Sequence, residues 1–147
     1  MDNSQIQIVL QLVVAVILGG VIGLERKYKK REAGLQTYSL VALGSCLFTI
    51  VACELFYFFM DKSGISFDPS RIIQAVAIGI GFIGAGVIIY RQSHVEGLTT
   101  ATGLWATAAI GVAVGIRLYL VAIFGTLLAA FILVVFGGIE RKFFKKD

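Results

Sequence analysis

The side chains that could do chemistry in this sequence are few, and most stand at the ends of long apolar runs. Glu25 and Arg26 close the first run, Gln36 and Thr37 open the second, and Arg91 closes the third. Thr99, Thr100 and Thr102 open the fourth, where the free N–H groups of a helix start could hold an anion or a side-chain oxygen. Glu25, Arg26, Gln36, Thr37, Arg91, Thr99 and Thr100 form one candidate polar cluster. Glu54 is the only acid well inside a run, and two readings stand for it: a polar contact, with Gln74 for example, or a cation site. Asp68-Pro69-Ser70-Arg71 reads as a helix start, Asp at the N-cap and Pro at the first helical position. The other reading joins Asp68 and Arg71 to Glu54 as a second candidate site, where carboxylate oxygens would suit a divalent ion such as Mg2+.

Other chemistry finds little support. His94 is the single histidine and has no second His or Cys ligand nearby, so zinc is not expected there. No nucleophile stands beside a base, so no enzyme is expected, and no motif calls for a cofactor. Gly79-x-Gly81-x-x-Gly84 matches the dinucleotide fingerprint, but it lies in the middle of an apolar run with no acid near position 104. Cys46 and Cys53 are separated by roughly 10 Å of helix rise, too far for a disulfide within that helix. They read, like Trp105, as packing residues.

The elements that must position these residues follow from composition. The 147 residues are 58% hydrophobic and only 15% charged, too apolar to cover a soluble surface. A bilayer-spanning helix needs about 20 apolar residues. Five stretches qualify: Ile6–Leu24, Leu35–Met60, Ile72–Tyr90, Leu98–Ile116 and Leu118–Ile139. The expected fold is an all-α membrane protein, one domain over residues 1–147, built as a compact bundle of about five transmembrane helices. Arg117 is nearly the whole connection between the last two spans, which predicts a tight hairpin. Met1–Gln7 lacks a positive n-region and no small-residue cleavage pattern follows, so the first run is expected to be an uncleaved span.

Charge sets the orientation. The formal balance of +4 comes from basic residues placed between apolar runs, which points to a lipid bilayer and not to nucleic acid. Arg26, Lys27, Lys29, Lys30, Arg31, Arg91, Arg141, Lys142, Lys145 and Lys146 fall on one side; Lys62, Arg71 and Arg117 fall on the other. The ten-residue side is expected in the cytosol, with the amino terminus outside and the carboxyl terminus inside. Gly19-Gly20 before Glu25-Arg26-Lys27 and Gly137-Gly138 before Glu140-Arg141-Lys142 place the ends of the first and fifth spans at one interface.

Small residues recur every four positions: Thr99, Gly103, Thr107, Gly111 and Gly115 in the fourth span, Gln7, Gln11, Ala15, Gly19 and Gly23 in the first, Ala77, Gly81 and Ala85 in the third. In lipid such ridges let backbones approach closely. They predict a tight bundle without a wide pore, and one ridge could serve as a homodimer interface.

The order and spacing of four motifs now resemble a known family. They are Ile22-Gly23-Leu24-Glu25-Arg26, Arg31-Glu32-Ala33-Gly34-Leu35-Gln36-Thr37, Gly79-Ile80-Gly81-Phe82-Ile83-Gly84-Ala85-Gly86, and the stretch from Gly97-Leu98-Thr99-Thr100 to Gly111. Together they resemble the MgtC/SapB family of bacterial inner-membrane proteins over roughly residues 15–116. The family usually carries Arg and His where Gln36 and Tyr38 stand here. Longer members add a soluble cytosolic domain after the fifth span, so this sequence is expected to be a short form. The resemblance implies a multispanning inner-membrane protein linked to low magnesium, acid or other stress, and survival inside host cells. It implies regulation of other membrane complexes; together with the small-residue ridges, it leads to the expectation of self-association as a homodimer or other homo-oligomer. The alternative is a small channel or transporter for Mg2+ or another divalent cation.

Overall fold

The computed structural model describes residues 3–60, 68, 70–91 and 94–143. Among these, five helical segments are long and apolar enough to cross a membrane. α1 spans Asn3–Tyr28, α2 Leu35–Phe59, α3 Ser70–Val87 and α4 Leu98–Gly115. The fifth comprises α5 (Tyr119–Phe131), a π-helical stretch (Ile132–Phe136) and α6 (Gly137–Phe143).

Two differences from the hydropathy reading concern the third connection and the fifth span. Helix α3 stops at Val87, and Ile88–Tyr90 do not continue it. Instead β1 (Ile89–Arg91) pairs antiparallel with β2 (His94–Glu96), matching Ile89 to Glu96, Tyr90 to Val95 and Arg91 to His94. The β-branched and aromatic residues Ile89, Tyr90 and Val95 suit a strand. Gly97 then turns the chain into α4. Its φ is +88°, and a Cβ there would lie 2.2 Å from the Val87 carbonyl oxygen. Gly97→Ala therefore meets both a left-handed backbone and an unyielding carbonyl. It is expected to lower stability by about 2 kcal/mol or more, read from unfolding in detergent.

Two helix ends are closed by the same device. Arg117 (φ +64°) donates its N–H to the Val114 carbonyl at 2.9 Å, and Leu118 donates to Ala113 at 2.8 Å. Lys30 (φ +53°) donates to Lys27 at 3.1 Å, and Arg31 donates to Arg26 at 3.0 Å. Both are Schellman turns with a long side chain where glycine is the usual occupant. The first makes the tight α4–α5 hairpin that the sequence predicts. Lys30→Gly and Arg117→Gly are expected to hold or raise stability, by up to about 1 kcal/mol, while valine at either site lowers it by about as much. Thermal unfolding of the four variants checks this.

α4 is the central strut, packed against the other four spans. Gly111 lies so close to α2 that a Cβ would come 2.4 Å from the Ala42 carbonyl oxygen. A Cβ on Gly115 would meet Thr49 at 2.6 Å, and one on Gly103 the Tyr38 hydroxyl at 2.5 Å. On α1, Gly19 and Gly23 approach α2 in the same way, at 2.6 Å from the Tyr38 carbonyl and 2.7 Å from Leu35 Cα. Gln11, Ala15, Gly19, Ile22 and Gly23 form the buried face of α1. Polar groups inside this apolar packing are satisfied locally. Thr49, Thr107 and Thr126 donate to the carbonyls of Ser45, Gly103 and Ala122, each at 2.8 Å. The Gln11 amide reaches the last turn of α4, donating to Gly115 at 2.8 Å and to Val114 at 3.0 Å, a carbonyl it shares with the Arg117 N–H.

Gly81 corrects the packing ridge expected on α3. A Cβ there would meet nothing within 4 Å. The face of α3 turned to α4 carries Val76, Ile80, Gly84 and Val87, with Gly84 lying over Ala101. Gly81 and Ala85 are exposed and Ala77 is half-buried, because larger side chains at 76, 80 and 87 supply the apolar contact.

Candidate functional site: a charged cluster at the basic end of the bundle

The basic connections converge where the ends of α1 and α5 meet the starts of α2 and α4. Arg26 ends the buried stripe of α1, and its side chain is only 3% exposed. Its Nη2 donates to the Thr100 hydroxyl at 2.8 Å, and that hydroxyl donates to Glu32 Oε2 at 3.1 Å. The Tyr38 hydroxyl, from the first turn of α2, donates to the Thr100 carbonyl at 3.2 Å. Thr100 is thus the node that ties α1, the α1–α2 connection and α2 to the first turn of α4.

Glu25 forms the other half. Lys29 Nζ stands 2.5 Å from its Oε1, four residues on along the helix, and Arg26 Nη1 stands 3.9 Å from its Oε2. These are ion pairs without directed hydrogen bonds: both Glu25 oxygens and Arg26 Nε are buried without a hydrogen-bond partner among the described residues. Lys29 Nζ also donates to the Leu133 carbonyl at 2.7 Å, inside the π-helical stretch. Gly137 lies one turn further, where a Cβ would stand 3.7 Å from the same nitrogen, an ordinary van der Waals contact. The ends of the first and fifth spans therefore meet at one end of the bundle.

Of the cluster expected from sequence, the structure joins Glu25, Arg26 and Thr100. Gln36 and Thr99 are exposed and Thr37 is half-buried, and none of them takes part in these bonds. The backbone of Arg91 lies on β1, but its side chain lies outside the described residues. Glu32, Tyr38 and Lys29 are the members the sequence reading missed. Lys29 had a visible signal in its four-residue spacing from Glu25. So had Tyr38, a phenol on an apolar helix face whose hydroxyl must find a partner.

The Glu32 carboxyl sits below the usual carboxylate range, held there first by its own backbone N–H and then by Thr100, Arg31 and Arg26, against a partial desolvation. A lowered folded-state pKa gives stability that is present above the unfolded value and is lost as pH falls through the folded one. Acidification below about pH 4 is therefore expected to loosen this end of the bundle, and Glu32→Gln to weaken that pH dependence. Unfolding curves from pH 3 to pH 7 would show it; parallel curves for the two proteins would contradict it.

At the opposite end the second candidate site is not assembled. The Asp68 carboxylate accepts from the Ser70 N–H at 2.9 Å and so caps α3; its pKa is lowered first by the Ser70 hydroxyl and then by that N–H. Pro69 lies outside the described residues. Arg71 is exposed. Glu54 lines a cavity of about 600 Å³ with Gln11 and Arg117, and neither Asp68 nor Arg71 lines that cavity. Among the described residues no group of three or more His, Cys, Asp or Glu is placed to hold a metal ion.

The MgtC family profile matches residues 12–142. The chain belongs to the MgtC family. MgtC-family relatives span diverse bacteria. "Putative magnesium transporter YhiD" of Escherichia coli K12 is 38% identical over 141 residues, 96% of this chain and 66% of the relative. Protein SapB of Bacillus subtilis is 42% identical over 113 residues, 76% of this chain and 49% of the relative. Protein MgtC of Salmonella typhimurium LT2 is 40% identical over 120 residues, 82% of this chain and 48% of the relative. The chain thus spans between about half and two thirds of these relatives. No solved structure matches. Membership and the five spans make this a multi-pass bacterial membrane protein.

Proposed function

We propose that this MgtC-family chain is a regulatory or adaptor protein of the bacterial inner membrane. It acts through lateral helix contacts with copies of itself and with other membrane complexes, in adaptation to low magnesium, acid or host-cell stress. Its amino terminus is outside and its charged cluster faces the cytosol, as the excess of Lys and Arg at that end directs. The observation that carries the reading is the free face of α3. Only Ile80 and Gly84 of that helix are buried, and Gly79, Gly81 and Gly86 leave open space where a Cβ would stand. A helix surface of this kind admits a second helix closely. Mass measurement in mild detergent is expected to give an oligomer, and Gly81→Leu is expected to weaken it while the helical content stays. A strict monomer that captures no membrane partner on crosslinking would defeat the proposal.

A second reading has its own support: Glu54 lines the open cavity at the outer end, as a cation-conducting protein would require. In that case the chain is a small channel or transporter for Mg2+ or another divalent cation. Liposomes holding correctly inserted protein would then show ion flux that Glu54→Gln reduces, and no flux across a panel of cations would eliminate it.

A further inference from the structure

Two cavities adjoin at the end of the bundle remote from the charged cluster, and their chemistry differs. The first, about 600 Å³, lies between α1, α2 and the α4–α5 turn. Gln11, Glu54, Tyr57 and Arg117 are its principal polar residues. The second, about 370 Å³, lies between α2, α3 and α4, where α3 leans on α4 and leaves a gap against α2. Its lining is mainly apolar and includes Phe56, Ile72, Ile73 and Val112. Cys53, Tyr57 and Ile116 line both cavities, so the two adjoin along a shared wall.

Glu54 and Arg117 carry opposite charges into the first cavity without pairing: no ion pair joins them within 4.0 Å among the described residues. Gln11 is fixed by its two bonds to α4, which use its amide nitrogen. Arg117 is held in position by the Schellman turn. An anion and a cation on one small ligand would satisfy both charges, and an attached hydrocarbon would fill the apolar cavity.

We propose that the two cavities form one site for a zwitterionic phospholipid with a primary amine, an ethanolamine lipid of the surrounding bilayer. Its phosphate lies at Arg117 and Tyr57, its ammonium at Glu54, and part of an acyl chain occupies the groove between α2 and α3. The charge pair selects the head, and the apolar groove selects a lipid over a soluble headgroup. This site does not rest on the adaptor reading, because a monomer would bind the lipid equally well.

Native mass spectrometry of the purified full chain tests it, with phosphatidylethanolamine, phosphatidylcholine and phosphatidylglycerol added in turn. Adducts of the ethanolamine lipid are expected at about tenfold lower concentration than those of the other two, because only its head offers an ammonium with N–H donors beside a phosphate. Glu54→Gln is expected to erase the preference over phosphatidylglycerol. Arg117→Gly, which suits the left-handed turn and keeps the fold, is expected to weaken all three. Free phosphoethanolamine at the same concentration is expected not to displace the lipid. Equal affinity for the three lipids would overturn the proposal. So would an unchanged preference in Glu54→Gln, or displacement by the free headgroup, which would make this a site for a soluble zwitterion.

Discussion

Arg26→Met is expected to cost the folded bundle about 2–3 kcal/mol, because it removes a buried charge-assisted hydrogen bond to Thr100 and half of the positive charge facing Glu25. Arg26 is 3% exposed and sits between Glu25 and Thr100. Methionine fills similar space but leaves Glu25 with Lys29 alone and the Thr100 hydroxyl without its donor. Breaking one partner of a buried pair is much worse than removing both. The double change Arg26→Met with Glu25→Gln should therefore recover part of the loss, a coupling that two independent sites would not show. Arg26→Lys keeps the charge but cannot reach Glu25 and Thr100 with separate nitrogens, and it should fall between. Unfolding in detergent against rising SDS measures all four proteins. A single Met variant within about 1 kcal/mol of the parent would remove the structural role assigned to the cluster.

The second large effect contrasts two glycines by the same substitution. Gly111→Ala is expected to lose about 1–3 kcal/mol, since the new methyl group meets the Ala42 carbonyl at 2.4 Å and Ser45 Cβ at 2.9 Å. Neither is the flexible end of a long side chain, so α2 and α4 must separate. Within a single copy, Gly81→Ala adds the same methyl group to open space, and at protein concentrations low enough to keep the chain monomeric helix propensity favours alanine by up to about 1 kcal/mol. Opposite signs at two mid-helix glycines would establish that α2–α4 contact, and not glycine content, sets the packing. A loss at both positions would instead mean that α3 is covered in the protein as isolated. That result would bear on the proposed self-association, because stability would then depend on protein concentration.

The spans could be read from the sequence because a bilayer demands long uninterrupted apolar runs, and five of them are present. Orientation of the small-residue faces was harder. The ridges on α1 and α4 follow the four-residue spacing because glycine and alanine line their contacts with α2. On α3 the contact within the chain uses Val76, Ile80 and Gly84, so the stripe of small residues marks a different face from the one packed on α4. The hairpin at Ile89–Glu96 gave little warning, with three residues in each strand and no Asn-Gly or Asp-Gly turn pair between them. In the charged cluster, Glu25 and Arg26 stood out as charges at the end of an apolar run. Glu32 did not, because it lies in a connection dense with basic residues, and only the fold brings it to Thr100, 68 residues away.

The π-helical stretch at Ile132–Phe136 has a consequence for the length of the fifth span. A π turn holds one residue more than an α turn, so it acts as a single-residue insertion absorbed without a loop. The residues after it are rotated by about 100° relative to an unbroken α-helix. Tyr119–Phe131 thereby presents Ala122 and Thr126 to the core, while the following turn offers the Leu133 carbonyl to Lys29. Deleting one residue between 132 and 136 would let the helix run straight through, and its two halves would then fall out of phase. A bacterium carrying that deletion would keep a membrane-length helix and lose the latch between its first and last spans.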